Sequence, residues 1–465
     1  MRVGVAAIAR PTFDVPYATE TAAAAFRALA VLDWELCGDA SLLMDGAAVD
    51  DAVTALAAQN VDAVVLLHAS FTDSTLVQPF ASLGVPLAMW AFPEERTGGR
   101  LRLNSLCGIN LAAFALKVRG ASYRHVYRRV DDPLAITELE AALVPVASSS
   151  ARRTTMPDAF PAAALAAASA VRDRLGDTTI GLIGEHPTGF EPCAYDAERL
   201  ALLGGVSVDP IDLPRLFARA RSVSDGAAAP VHTLVAERLD GVDAVDAEEL
   251  DRAVRLHVAL DETAADAGWA GLAMRCWPEC FTDYGSAACA AQAMLSDKGV
   301  PGCCEADVYG NLTSLVLQWL AGGPAFVADL VDVDRQTDTG VLWHCGIAPF
   351  ALADPDAVAA ATVHSNRVKP LLHEFPLRPG RVTIARFSQA DGRHALVVGG
   401  GEVIKAPISF SGTSGVVRFD APVDAVLEVV MSEGLEHHYG LVYGDVRDEL
   451  GALAALLAVP VIDLT

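Results

Sequence analysis

The chain has 465 residues, which exceeds the size at which a single hydrophobic core stops growing, so we expect two or three domains. Apolar residues make up 52% of the chain and charged residues 20%, which excludes a disordered or low-complexity protein. The formal net charge of −25 repels phosphate backbones and anionic lipid surfaces. We therefore expect neither nucleic acid nor a membrane as a partner.

The chain start and the cysteines predict a cytoplasmic protein. The first residues lack the longer apolar core and the cleavage site of a secretory signal. The most apolar stretches, at 161–171 and 452–462, are shorter than the roughly 20 residues that span a bilayer. The nine cysteines are an odd number and have no repeated two-residue spacing, so we expect small buried thiols rather than disulfides or a zinc site.

In the first part of the chain, short apolar runs at 3–9, 62–70 and 85–92 alternate with Ala-rich amphipathic segments. This alternation is typical of a parallel sheet with helices on both faces. A stretch containing Ser, Arg, Thr and Pro at 148–161 interrupts the pattern. We therefore predict an N-terminal Rossmann-like, doubly wound α/β domain over residues 1–160.

The next part of the chain repeats the same pattern and predicts a second doubly wound α/β domain, over residues 161–350. Apolar runs at 178–184 and 268–277 are expected to be strands of this domain. Helices are predicted near 286–298 and over 311–323, and the second of these should stop at its pair of glycines.

After about residue 365 the chain consists of short alternating segments separated by Gly and Asp turn residues. Such spacing indicates an antiparallel sandwich or barrel, and we predict a mostly antiparallel β-barrel domain over 351–465 with a short helix at 445–457. The three glycines at 399–401 lack the Lys-Ser/Thr of a phosphate-binding loop, so we predict that they form a hairpin turn.

Acidic residues follow two short apolar segments of the central domain. Glu279 lies in RCWPECF, and both Glu305 and Asp307 lie in CCEADVYG. Carboxylates in such apolar surroundings are costly unless they are paired or bind a metal. A salt bridge for Glu279 and a helix cap for Asp307 are equally open interpretations.

A third segment with candidate site residues, EHHYGLVYGD at 436–445, contains His437 and His438 just before a predicted strand. Adjacent residues of a strand point to opposite faces, so we expect only one of the two imidazoles to face a given site. Two carboxylates and one imidazole suit Mn²⁺ or a similar divalent ion, with positions left open for the oxygens of a substrate.

The segments RCWPE, CEADVYG, WHCG at 343–346 and EHHYGLVYGD together resemble the L-fucose isomerase and L-arabinose isomerase superfamily, of which this chain looks like a divergent branch. The resemblance implies a metal-dependent aldose–ketose isomerase that transfers a proton through a cis-enediol(ate). It also implies that Glu279, Asp307 and His438 bind Mn²⁺ or another divalent cation. Glu279 and Asp307 would be the two groups that remove and return the proton.

The resemblance implies further site residues. Glu305 competes for the second carboxylate position, and His437 competes with its neighbour for the metal. His344 is expected to make a substrate hydrogen bond, and Trp277 to form a wall facing the sugar. Arg10 would reach the site of a neighbouring subunit, because family members are trimers or hexamers that share sites. A homo-oligomer with a monosaccharide substrate is therefore expected.

Two other classes of function stay open. One is a non-catalytic sugar-binding or regulatory protein on the same fold, and the other is an epimerase or aldolase that uses the same enediolate chemistry. The identity of the sugar also stays open, including whether its sixth carbon carries a hydroxyl, a hydrogen or an anionic group.

Overall fold

The computed structural model describes residues 1–144, 159–390 and 392–465, and the first of these ranges forms a parallel sheet. Its five strands lie in the order β2-β1-β3-β4-β5, and every neighbouring pair is parallel. The strands are β1 (Arg2–Ile8), β2 (Glu35–Leu43), β3 (Ala63–His68), β4 (Leu87–Ala91) and β5 (Arg124–Tyr127), and the helices are α1 (Val15–Leu29), α2 (Gly46–Ala58), α3 (Gln78–Ala81), α4 (Ser105–Val118) and α5 (Leu134–Ala142). Every residue of β3 and β4 is buried, which accounts for their apolar sequence up to His68, the last residue of β3.

A second parallel sheet follows, with four strands in the order β7-β6-β8-β9. Its strands are β6 (Thr179–Ile183), β7 (Ser207–Ile211), β8 (Gly271–Met274) and β9 (Gly302–Cys304), and the helices are α6 (Ala162–Leu175), α7 (Ala197–Ala201), α8 (Leu213–Ser222), α9 (Asp225–Arg238), α10 (Ala247–Ala267), α11 (Cys289–Asp297) and α12 (Val308–Ala321). Helix α12 ends at the predicted glycine pair, because Gly322 adopts a left-handed φ of 72° and donates its N–H to the Gln318 carbonyl. The predicted pair of α/β units is confirmed.

The last part of the chain forms a nine-stranded sheet that closes into a barrel through pairing of β15 with β16. Most neighbouring strands are antiparallel. The strands are β10 (Phe326–Asp334), β11 (Thr339–His344), β12 (Ala360–Thr362), β13 (Leu372–Pro376), β14 (Gly380–Ser388), β15 (Ala395–Ile404), β16 (Thr413–Phe419), β17 (His438–Tyr443) and β18 (Val461–Asp463), and the helices are α13 (Val423–Glu433) and α14 (Arg447–Leu456). The predicted β-barrel is confirmed.

The predicted boundaries at residues 160 and 350 stay predictions. Strands β10 and β11 precede residue 350 and pair with strands of the barrel sheet. Residues 148–158 of the stretch that we interpret as the first linker lie outside the described residues. Among the described helices, none combines the length and the apolarity that a membrane span requires.

The prediction of a hairpin turn at Gly399–Gly401 is wrong. These glycines lie inside β15, between β14 and β16. A Cβ atom on Gly401 would lie 2.7 Å from the Arg418 carbonyl oxygen and 2.9 Å from a methyl carbon of Val417. The glycines therefore allow close strand packing inside the barrel, a constraint that the sequence pattern does not reveal.

The cysteines are all unpaired, and eight of the nine are buried, with Cys345 half-buried. Cys276 and Cys304 lie closest, with 3.0 Å between their sulfur atoms. The prediction of small buried thiols is confirmed.

Candidate metal centre

Three of the predicted site residues, Glu305, Asp307 and His438, lie where the four-stranded sheet meets the barrel. Glu305 and Asp307 follow β9, on the loop that leads into α12. His438 is the first residue of β17, and it lies opposite Asp329 of β10 in the antiparallel register. The topology therefore brings carboxylates from the α/β unit to an imidazole from the barrel, as the resemblance implies.

Both carboxylate oxygens of Asp307 accept hydrogen bonds from neighbouring groups. Asp307 is the N-terminal cap of α12, and its Oδ1 accepts the N–H of Gly310 at 2.9 Å, which confirms the helix-cap interpretation. The buried Arg386 guanidinium donates to both carboxylate oxygens, at 2.5 and 3.0 Å, and His438 Nδ1 donates to Oδ2 at 2.9 Å. Burial alone would raise the pKa of Asp307, but the charge of Arg386 and the bond to His438 hold that pKa well below its usual range.

Two buried polar atoms at the centre of the site have no hydrogen-bond partner among the described residues. They are Nε2 of His438 and Oδ1 of Asp329, which lie 3.5 Å apart. Oε2 of Glu305 is 3.7 Å from the same Nε2. Burial raises the pKa of Asp329 to about 6, although the neighbouring imidazoles lower it. Unpartnered buried polar atoms are costly, and a divalent cation is a partner that two carboxylates and an imidazole can share.

His438 has the geometry of a metal-binding histidine. Its Nδ1 is fixed by Asp307, which leaves Nε2 free, and metal-bound histidines usually donate their other ring N–H to a carboxylate in this way. Three groups of described residues bring ligand atoms within 4.8 Å of one another, and His438 belongs to all three: Cys193 with Glu305, His437 and His438; Cys303 with Asp307 and His438; and Asp329 with His344 and His438.

Glu305 is held in a strained backbone conformation. Glu305 and Ala306 both have positive φ values, 60° and 58°, which cost on the order of 1–3 kcal/mol each for residues other than glycine. Its Oε1 accepts the indole N–H of Trp277 at 3.1 Å, and its Oε2 accepts from His437 Nε2 at 2.9 Å. Burial would raise the pKa of Glu305, but the bond to His437 and the charges of the surrounding imidazoles lower it to about 2. The carboxylate is therefore ionised and fixed.

The expectation that only one of the two adjacent histidines faces the site is wrong. His437 and His438 both lie within 4 Å of Glu305 Oε2. His437 precedes the first residue of β17 and lies in a bend, so the alternation of a regular strand does not apply to it.

His344, at the end of β11, lines the same cleft as Glu305 and Asp329. Its Nδ1 accepts the backbone N–H of Cys345 at 2.8 Å, so in the neutral ring the proton lies on Nε2. Burial lowers the pKa of His344 to about 3, which keeps the ring neutral. The side chain is thus a hydrogen-bond donor facing the cleft.

Glu279 has a different environment from the other predicted residues. It makes an ion pair with Arg275 through two contacts, at 2.7 and 2.9 Å, which confirms the salt-bridge interpretation. It belongs to none of the groups of described residues that could hold a metal. Trp277 and Arg10, in contrast, both line the cleft that contains Glu305, and Arg10 does so within its own chain.

Sequence reasoning missed three residues of this region. Asp329 and Arg386 lie in the strands β10 and β14, which also contain other charged residues (Asp332, Asp334 and Arg381), and Arg367 follows β12 on a loop that lines the cleft. A charged side chain inside a buried strand signals that a partner is required, but the sequence does not show which of the charges in each strand faces the site. Arg367 has no comparable signal in the sequence.

Comparison with known families gives two matches along the chain. Residues 4–149 match the model described as the N-terminal domain of fucose/sulfoquinovose isomerase, and residues 372–465 match the C-terminal domain of L-fucose isomerase.

Three curated relatives extend the similarity over most of the chain. A sulfoquinovose isomerase of Alkalicoccus urumqiensis is 30% identical over 405 residues, which cover 87% of this chain and 86% of the relative. A sulfoquinovose isomerase of Clostridium sp. (strain MSTE9) is 33% identical over 377 residues, covering 80% and 79%. The enzyme with the same name from Priestia megaterium is 29% identical over 404 residues, covering 85% and 84%.

Proposed function

Because this chain belongs to the L-fucose isomerase-like superfamily, as a divergent member of its fucose/sulfoquinovose isomerase branch, we propose that it is a metal-dependent aldose–ketose isomerase whose substrate is sulfoquinovose. Sulfoquinovose is the sugar in the names of the relatives, an aldose with a sulfonate on its sixth carbon. The placement of Asp329 Oδ1 and Glu305 Oε2 at 3.5 and 3.7 Å from the unpartnered Nε2 of His438 is the observation that supports the metal dependence.

A divalent cation would be a better partner for these three atoms than the contacts among them, since His438 Nε2 is 3.5 and 3.7 Å from the two carboxylate oxygens. Two of them have no hydrogen-bond partner among the described residues, and an oxygen-rich set with one imidazole is the ligand type that Mn²⁺ accepts. When bound, such an ion supplies a Lewis acid that stabilises negative charge on the substrate oxygens. In this proposal Asp307 orients His438 instead of binding the metal, because its oxygens are occupied by Arg386, Gly310 and His438.

Conversion of an aldose to a ketose moves one proton from carbon 2 to carbon 1 and another from oxygen 2 to oxygen 1. We assign the carbon-bound proton to Glu305, which is ionised, lines the cleft and is held in place by Trp277 and His437. His344 donates a hydrogen bond from Nε2 to a sugar oxygen. The hypothesis that Glu279 and Asp307 carry the proton remains the alternative, and the variants below separate the two.

The test measures bound metal and ketose formation in the same preparations. Wild-type protein is expected to hold a divalent metal and to convert sulfoquinovose to a ketose in a Mn²⁺-dependent reaction. His438→Gln and Glu305→Gln should lose turnover, whereas Glu279→Gln should keep its metal. His232→Ala is a matched control, because His232 also pairs with a carboxylate, Asp251, but on helices α9 and α10 outside the cleft.

Two outcomes would contradict the proposal. A wild-type protein that holds no divalent metal and converts no aldose would exclude the isomerase assignment for this chain. Turnover that is lost in Glu279→Gln but retained in Glu305→Gln would transfer the proton step to Glu279. Product analysis separates the remaining enzyme classes, since an aldolase yields two fragments, an epimerase yields another aldose and an isomerase yields a ketose of unchanged mass.

A further inference from the structure

Two arginines of the cleft have no acidic partner. Arg10 and Arg367 both line the cleft that contains Glu305, and neither side chain makes an ion pair or a hydrogen bond with a described residue. Two other arginines with low exposure are paired with acids: Arg96 with Asp332 at 2.7 Å, and Arg386 with Asp307. Two unpaired cations in a chain with a net charge of −25 require a specific explanation.

The two guanidinium groups share one aromatic ring. The central carbon of Arg10 lies 4.5 Å from the Trp277 ring centroid, and that of Arg367 lies 5.0 Å from it. Cation–π attraction stabilises each group there, but the two like charges repel one another. Burial lowers the pKa of Arg10, the charges of Asp73 and Glu305 oppose this shift, and the charge of Arg367 adds to it. An anion bound to both groups would remove this repulsion.

The loops that carry these arginines are tied together. Nη2 of Arg100 donates to the carbonyl oxygen of Thr12 at 2.8 Å, and Nε donates to the side-chain oxygen of Asn366 at 2.7 Å. Thr12 lies two residues after Arg10, and Asn366 directly precedes Arg367. Arg100 is therefore a positioning residue that fixes the spacing of the two cationic loops.

Trp277 links this cationic pair to the reactive end of the cleft. Its indole N–H is bonded to Glu305, while its ring carries the two guanidinium groups. A sugar whose first two carbons lie at Glu305 can thus extend along Trp277 toward the arginines. The cleft therefore holds, around one indole, the Glu305 carboxylate and two guanidinium groups that have no ion-pair partner among the described residues.

We propose that Arg10 and Arg367 form the binding site for the sulfonate group of the substrate and so determine the specificity of the enzyme. This inference rests on the proposed isomerase function for the orientation of the sugar. A sulfonate carries a permanent negative charge and three acceptor oxygens, which match two guanidinium groups. A sugar with a neutral hydroxyl at its sixth carbon would leave both cations uncompensated, so the site discriminates against it.

The experiment measures both binding and turnover of sulfoquinovose and of glucose, its counterpart with a hydroxyl at carbon 6. Arg10→Gln and Arg367→Gln are each expected to weaken sulfoquinovose binding in calorimetry by about 10-fold to 100-fold and to raise KM to a similar extent. Glucose turnover, where measurable, should change much less, so the preference for the sulfonated sugar falls. Arg174→Gln is the matched control, because Arg174 lies 4.2 Å over the ring of Trp319, away from the cleft.

The outcomes separate this inference from the proposed function. If both cleft variants bind and turn over sulfoquinovose as the wild type does, the sulfonate site is wrong while the isomerase assignment stands. If the wild type binds sulfoquinovose through these arginines but forms no ketose, the site stands and the proposed reaction is wrong. If the wild type turns over other aldoses but does not bind sulfoquinovose, the sulfonate site is again excluded. Circular dichroism and thermal unfolding of each variant confirm that the loss is local.

Discussion

Replacing Arg386 by methionine removes the cation that compensates the buried carboxylate of Asp307. Both side chains are almost completely buried, at 0% and 1% exposure, and two charge-assisted hydrogen bonds join them. Removing one partner of such a pair leaves an uncompensated buried charge and typically costs about 3–5 kcal/mol of stability. We therefore expect Arg386→Met to lower the free energy of unfolding by an amount in this range at neutral pH.

A matched control lies on the same strand. Arg381, also on β14, pairs with Asp420 at the surface, where the two side chains are 37% and 33% exposed. Solvent screening limits such a pair to about 1 kcal/mol or less, so Arg381→Met should change stability little. Urea unfolding followed by circular dichroism compares the two variants under identical conditions.

The difference in stability between wild type and Arg386→Met should depend on pH. In the folded wild type, Arg386 is the largest of the influences that lower the pKa of Asp307 against the opposing effect of burial. A carboxylate with a depressed folded pKa contributes stability that is present above its unfolded pKa, near 4, and is lost as pH falls through the folded value. The difference between wild type and Arg386→Met should therefore be largest near neutral pH and narrow in acid, where Asp307 of the variant is protonated.

The double variant Arg386→Met with Asp307→Asn tests the cause of the loss. Asn can still cap α12, and the buried charge is gone, so this variant should recover much of the stability even if the single variant fails to fold. Equal stability of Arg386→Met and Arg381→Met at neutral pH would refute the reasoning, because the buried ion pair would then contribute no more than an exposed one.

Three further predictions concern the metal, the barrel and the thiols. Asp307→Asn should bind Mn²⁺ about 10-fold to 100-fold more weakly by equilibrium dialysis, because His438 loses its anionic acceptor, and unchanged affinity would contradict that role. Gly401→Ala should destabilise the barrel by about 1–3 kcal/mol in thermal unfolding, whereas Gly46→Ala, where the added carbon meets nothing within 4 Å, should be neutral or slightly stabilising. All nine cysteines should react with a thiol reagent after unfolding without reductant, but very few should react at a comparable rate in the native protein, and a lower count after unfolding would indicate disulfides.

Much of the fold follows from the sequence because its strands are strongly patterned. The buried runs of β3 and β4 are apolar apart from the final His68 of β3, and the glycine pair after α12 marks the end of that helix. The prediction of a turn at the glycines of β15 is wrong, because a glycine required by close packing of a neighbouring strand cannot be distinguished in the sequence from a turn glycine.

The candidate site was predicted in part. The contact of Asp307 with His438 and the pairing of Glu305 with His437 join residues more than 130 positions apart, which chemical type and the family resemblance together selected as candidates. Asp329 could not be placed, because its position opposite His438 depends on the register between β10 and β17. The sequence does not show that both His437 and His438 contact Glu305, because it does not fix the residue at which β17 begins.

The division of the cleft has a consequence for how such enzymes diverge. The groups assigned to proton transfer and metal binding lie on β10, on β17 and directly after β9, in the strand framework of the fold, whereas Arg10 and Arg367 lie on two loops joined by Arg100. Exchanging a few loop residues can therefore redirect the enzyme to another sugar while the framework and its chemistry are inherited unchanged.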